Sequence, residues 1–213
     1  MTFLERYHNV GDDFLSQVVT GDETWVAYVT PESKQQSMER RNSDSPKQVK
    51  FKQTISARKI MCTVFWDRKG VLLMDFLPRN ETINATAYCE TLNNLRRSIQ
   101  NKRRGKLSKD IVLLHDNARP HVANRTKDLI TSFKWETLDH PPYSPDLAPS
   151  DYHLFLHLKK HLGGQRLQDD DEVKTVVMQW LTSQAADFYE EGIQKLVQRY
   201  DKCLNIGGNY VEK

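Results

Sequence analysis

Ile111-Val112-Leu113-Leu114-His115-Asp116 is the stretch on which the fold turns: four unbroken apolar residues, a histidine, then an acid. A continuous apolar run this short suits a strand buried on both faces, as in the middle of a parallel sheet. The acid at its end matters as much. An ionised carboxylate so close to a packed strand is costly unless it gains a partner, and a divalent cation is one such partner. A plain polar turn at the strand end is the competing reading for Asp116.

Upstream, residues 15–29 (Leu-Ser-Gln-Val-Val-Thr-Gly-Asp-Glu-Thr-Trp-Val-Ala-Tyr-Val) read as a strand rich in β-branched and aromatic residues, with Asp22 just after Gly21. Lys59–Trp66 and Val71–Leu77 are apolar runs around the short turn Asp67-Arg68-Lys69-Gly70, which predicts a hairpin and exposed positions for Asp67 and Asp75. From Asn84 the apolar spacing lengthens to a helical one, through Ala87, Leu92, Leu95 and Ile99. Downstream, Pro120–Phe133 reads as a helix with proline in its first turn, and Trp135–Leu138 as a further strand. A proline-punctuated loop, His140–Ser150, leads to helix from about Asp151, with more helix at 170–186 and 189–203. The order is that of an α/β domain with a mixed five-stranded sheet flanked by helices and a helical C-terminal end.

The whole chain reads as a single domain of 213 residues, 38% apolar and 28% charged, with a net charge of +3. No apolar run approaches the roughly 18 residues of a membrane-spanning helix. Nor does the start of the chain carry the basic-then-apolar layout of a secretory signal. Cys62, Cys89 and Cys203 form neither a disulfide framework nor a Cys-x-x-Cys zinc site. A phosphate-binding Gly-x-x-x-x-Gly-Lys loop and a Gly-x-Ser-x-Gly elbow are both missing from the sequence, which removes simple nucleotide hydrolysis and serine hydrolysis.

Asp22 and Asp116, at or near strand ends, are the leading metal ligands. Asp151 is a third, although an acid after Pro149-Ser150 also reads as a helix cap. Asp146 competes with it but equally suits a turn. His153, His157 and His161 fall on one helix face at i, i+4, i+8, a spacing that admits zinc but more commonly marks packing. The segment at about 30–56 is too long for an ordinary connection. It carries Arg40, Arg41, Lys47, Lys50 and Lys52; with Arg103 and Arg104 these suit either a phosphate backbone or a solvated surface.

Three strings then narrow the field: Thr20-Gly21-Asp22-Glu23-Thr24-Trp25, His115-Asp116-Asn117-Ala118-Arg119-Pro120-His121, and Tyr143-Ser144-Pro145-Asp146-Leu147-Ala148-Pro149-Ser150-Asp151-Tyr152-His153-Leu154-Phe155. Together they resemble the catalytic domain of mariner-family transposases, in the Tc1/mariner superfamily. That family's signature is three aspartates with thirty-four residues between the second and third, and thirty-four residues separate Asp116 from Asp151 here. The resemblance runs from about residue 15 to the C-terminus.

It implies a ribonuclease-H-like fold and cut-and-paste DNA chemistry. Asp22, Asp116 and Asp151 would hold two Mg2+ or Mn2+ ions. They would serve hydrolysis at transposon ends and transfer of the 3′-hydroxyl ends to target DNA at TA sites. It implies double-stranded DNA as partner, a homodimer on that DNA, a 30–56 loop reaching across to the second subunit, and a nuclear location. Asn117, Arg119 and His121 would join the basic residues in contacting DNA. Family members begin with two helix-turn-helix modules, which this sequence does not contain, so specific recognition of transposon ends is expected to be lost. The alternatives are a host-recruited relative that binds DNA without cutting, and a nuclease acting on RNA–DNA hybrids.

Overall fold

The computed structural model describes residues 2–31, 58–79 and 81–211. Most of the 30–56 segment, with Arg40, Arg41, Lys47, Lys50 and Lys52, lies outside the described residues.

Five strands form one sheet: β1 Val18–Ala27, β2 Lys59–Asp67, β3 Gly70–Phe76, β4 Val112–Leu114 and β5 Glu136–Thr137. Their spatial order is β3-β2-β1-β4-β5. The β1–β2 and β2–β3 pairs are antiparallel, while β1–β4 and β4–β5 are parallel. The sheet is therefore mixed, as the expected ribonuclease-H-like α/β fold requires.

Side-chain alternation along the strands splits the core in two. On one face Val19, Phe65, Leu72, Ile111 and Leu113 pack under helix α3 (Ala85–Lys102) with Ile130. On the other, Val18, Val64, Trp66, Val112 and Leu114 pack against the C-terminal half of the chain. Fully burying one such large apolar side chain contributes about 1.5–3 kcal/mol, so the two layers together hold the sheet between helices. In α3, Asn84 caps the first turn by accepting from the Thr86 and Ala87 amides, and Tyr88, Leu92, Leu95 and Ile99 form its buried stripe.

Gly21 marks a close approach. A Cβ built there would stand 2.2 Å from the Phe65 ring, so β1 admits no side chain one residue before Asp22.

Four expectations change. Residues 15–17 are not strand: they end helix α2 (Asp12–Gln17), after α1 (Phe3–Val10), and the left-handed Gly11 (φ 66°) separates the two. Phe14 and Leu15 bury as a helical pair, and a contiguous apolar run cannot by itself distinguish that from a strand. The single helix at 120–133 is two, α4 (Arg119–Val122) and α5 (Asn124–Ser132), because Ala123 adopts an extended ψ of 144°. The strand at 135–138 shortens to the two residues of β5.

Asp67, expected to be exposed, is 1% exposed. Its carboxylate accepts from Arg103 Nη2 at 3.1 Å and from Lys106 Nζ at 2.9 Å, joining the hairpin to the end of α3. Burial would raise the Asp67 pKa, but the Arg103 and Lys106 contacts outweigh it and lower it. Lys106 is itself lowered by burial more than Asp67 restores it, so Arg103 is the firmer counter-ion.

The C-terminal half continues with a π-helical turn at Ser150–Phe155, then α6 (Leu156–Leu162), α7 (Asp170–Ser183) and α8 (Ala186–Asn205). Asp169 caps α7 through the Glu172 amide. Among the described residues, no helix is long and apolar enough to cross a membrane.

Candidate active site

Strand register brings the first two acids together. Thr20 on β1 pairs with Leu114 on β4 in a parallel ladder. Two residues beyond that last pair, on neighbouring segments, come Asp22 and Asp116, and the Asp116 charge acts on Asp22. Parallel pairing thus brings the two acid-bearing segments next to each other.

Asp151 comes from a different element, and its charge acts on Asp22. It sits in the π-helical turn Ser150–Phe155, where no side chain caps the helix start, so the capping reading of this acid does not hold. The turn is held on three sides. Trp66 Nε1 donates to Ser150 Oγ at 3.1 Å, Tyr152 Oη donates to the Gly192 carbonyl at 2.8 Å, and the Asp151 amide donates to Ala148 at 2.9 Å. Its apolar members Leu154 and Phe155 join the same core layer as Val18 and Val26, the face of β1 that carries Asp22. π-helical turns occur frequently at functional sites, where they re-aim one side chain.

The electrostatics record the convergence. Burial, then the Asp151 charge, with smaller contributions from Glu23 and Asp116, push the Asp22 pKa up to about 8. Asp151 is raised by burial and by Asp116, against the opposing charge of Lys159. Asp116 is lowered, chiefly by its hydrogen bond to His121. Three carboxylates that feel one another's charge form a locally negative, oxygen-rich surface suited to hard cations.

A family profile described as Transposase (partial DDE domain) matches residues 30–109. The chain is 37% identical over 211 residues to the Mariner Mos1 transposase of Drosophila mauritiana, covering 98% of this chain and 60% of that protein. A structure of the Mos1 transposase catalytic domain and Raltegravir with Mn superposes with a TM-score of 0.80 at 36% identity, covering 97% of this chain and 90% of that one. The chain belongs to the mariner transposases. The Mos1 mariner paired end complex with Mn superposes with a TM-score of 0.88 at 37% identity, covering 97% of this chain and 60% of that one. This mariner domain thus spans about 60% of the length of the Mos1 transposase.

Around the acids, the mariner domain holds a buried polar network that sequence reasoning missed. His121, expected to contact DNA, has a side chain only 3% exposed. Its Nδ1 lies 2.6 Å from Asp116 Oδ1, and its Nε2 lies 3.7 Å from Glu23 Oε2. Burial alone would lower the His121 pKa, but the Asp116 and Glu23 contacts raise it to about 9. Tyr88 and His115 share a 2.7 Å hydrogen bond beside it, and burial pushes His115 down to about 3. The recurrence of histidine five residues after Asp116 was the available signal.

Arg103 is also taken out of the expected DNA-contacting set, since Asp67 holds it. Arg104, Asn117 and Arg119 are exposed, and the Asn117 side-chain amide donates to the His140 carbonyl. The histidine face of α6 is packing: His153 Nε2 donates to Phe188 O, and His157 Nδ1 donates to His153 O, each at 2.8 Å. Asp146 is buried and accepts from the Val211 amide at 2.8 Å, so it is an anchor for the C-terminal segment rather than a third acid of the site.

The donor set suits divalent ions by its chemistry. Among the described residues, however, no three His, Cys, Asp or Glu side chains form a ready-made cage. Asp22 Oδ1 accepts from the Glu23 amide at 2.7 Å, and Asp116 Oδ1 is held by His121 and the Ala118 amide.

Proposed function

We propose that this chain is the catalytic domain of a cut-and-paste DNA transposase, a metal-dependent endonuclease and strand transferase. It hydrolyses phosphodiesters at transposon ends and transfers their 3′-hydroxyl ends into target DNA at TA sites. The observation that carries this reading is the convergence of Asp22, Asp116 and Asp151 from a strand, a strand end and a π-helical turn. The resemblance to a Mos1 transposase paired-end complex with left transposon end supports it.

Asp22, Asp116 and Asp151 are both the catalytic and the metal-binding residues, holding two Mg2+ or Mn2+ ions. Two such ions bound there supply activation of the attacking oxygen and stabilisation of the leaving 3′-oxygen in an in-line displacement. The chain's own residues set the geometry. The β1–β4 pairing brings the segments that bear Asp22 and Asp116 next to each other, and Asp151 comes from the pinned turn. Arg104, Asn117 and Arg119, with Arg40, Arg41, Lys47, Lys50 and Lys52, contact the DNA backbone. The domain acts as a homodimer on double-stranded DNA, its 30–56 segment reaching the second subunit, and in the nucleus, where chromosomal DNA lies.

Mn2+ titration followed by electron paramagnetic resonance tests the site directly. Binding by the native chain that collapses in both Asp22→Asn and Asp116→Asn is the expected result. Binding unchanged by either substitution overturns the assignment.

A further inference from the structure

We infer that His121 is a positioning residue, locking the Asp116 carboxyl in the orientation that a metal ion needs and tying it to the strand that carries Asp22. The inference rests on the metal-site reading above and assigns a role within it that composition and motif had placed elsewhere, on the DNA.

The geometry is specific. Asp116 Oδ1 takes two hydrogen bonds, from His121 Nδ1 at 2.6 Å and from the Ala118 amide at 3.0 Å. Both fall on one oxygen, which fixes the plane of the carboxyl and leaves Oδ2 for a ligand. The Asp116 side chain is otherwise 45% exposed, so without these bonds it would turn among rotamers. His121 itself has no such freedom. Its ring lies 3.9 Å from that of Tyr88 and 5.2 Å from that of His115, the latter stacked at 10°. The far nitrogen faces Glu23 at 3.7 Å, and Glu23 is the β1 neighbour of Asp22. One rigid ring therefore spans from the Glu23 side chain, next to the first acid in β1, to the side chain of the second.

Partners that hydrogen-bond a metal ligand orient it and tune it, and their loss typically costs 10–100-fold in metal affinity. A ring that merely filled space would leave affinity unchanged at equal stability.

The two nitrogens permit a discriminating test on the full 213-residue chain. The amide nitrogen of asparagine falls where histidine Nδ1 lies, and that of glutamine falls nearer Nε2. Mn2+ affinity is measured by electron paramagnetic resonance for the native chain, His121→Asn, His121→Gln, His121→Ala and Asp116→Asn, with thermal unfolding of each followed by circular dichroism. The expected pattern is a 10–100-fold weaker affinity in His121→Ala and His121→Gln and partial recovery in His121→Asn, with no correlation to unfolding temperature. Native affinity in His121→Ala alongside lost affinity in Asp116→Asn overturns the role of His121 and leaves the metal site standing. Affinities that simply follow unfolding temperature across the three His121 variants also overturn it. If the native chain fails to bind Mn2+, or Asp116→Asn binds it fully, the site itself is wrong and this inference falls with it.

Discussion

Trp66 and Ser150 are joined by a 3.1 Å hydrogen bond between the indole Nε1 and the serine hydroxyl, and both residues are fully buried. The contact ties the second strand of the sheet to the turn that bears Asp151. A buried donor left without its acceptor costs about 1–3 kcal/mol, whereas removing both partners together costs less than the sum. Ser150→Ala should therefore lower stability by about that amount. Trp66→Phe adds lost volume, and the double variant should fall short of additivity. Chemical denaturation of the three variants measures the coupling; strict additivity would show that the bond does not hold the turn.

Gly21 stands directly before Asp22, with the Phe65 ring where its Cβ would be. Phe65 lies in the fully buried layer under α3 and cannot swing into solvent. Gly21→Ala should cost about 1–3 kcal/mol through overpacking. Adding Phe65→Leu should return part of that loss, because the smaller side chain vacates the contested space. Unfolding midpoints that show no rescue in the double variant would mean that the strain is relieved elsewhere.

Asp67 contributes an acid-dependent part of the stability. Its folded pKa is lowered, with Arg103 and Lys106 outweighing the opposing effect of burial. A carboxylate depressed on folding contributes stability that is fully present above its unfolded pKa of about 3.9. That contribution is lost as pH falls through the lower, folded value. At neutral pH, Asp67→Asn leaves two half-buried cations without their buried counter-charge and should cost about 3–5 kcal/mol. Below the ordinary carboxylate range the gap between native and variant should narrow. Denaturation curves at neutral and acid pH check both statements, and a gap that stays constant with pH contradicts them.

Val18, Val19 and Ile111–Leu114 carried enough β-branched and apolar character to place the two central strands, and thereby Asp22 and Asp116, from sequence. Pairing register, which brings the segments bearing those acids together, has no local signature; it emerges only when β1 and β4 meet. The same limit explains Asp67. A turn of Asp-Arg-Lys-Gly looks solvated by every local measure, and only the return of α3 to the hairpin supplies Arg103 and Lys106 as partners. His121 was misplaced for a related reason. Its motif sits beside Arg119, which is exposed, but α4 turns the histidine inward beneath Tyr88. Leu15 failed differently, because four apolar residues around a short polar gap satisfy helix and strand periods alike.

Asp146 links the loop before Asp151 to the C-terminal segment. Its Oδ2 accepts from the Val211 amide at 2.8 Å, its carbonyl accepts from Arg199 Nη1 at 2.9 Å, and Lys202 Nζ holds the Val211 carbonyl at 2.7 Å. The same side chain keeps Oδ1 buried without a hydrogen bond among the described residues, so the carboxylate is retained at some cost. Its anchoring of the tail is what offsets that cost. Asp146→Ala removes a hydrogen bond to a charged acceptor, worth about 1.5–3 kcal/mol. The loss should be local, freeing residues 209–211 while α8 stays folded. Hydrogen exchange of the Val211 amide should rise by roughly ten- to hundredfold in Asp146→Ala, in line with that energy, with exchange in the middle of α8 unchanged. Equal acceleration across α8 would mean instead that the whole C-terminal helix depends on this one carboxylate.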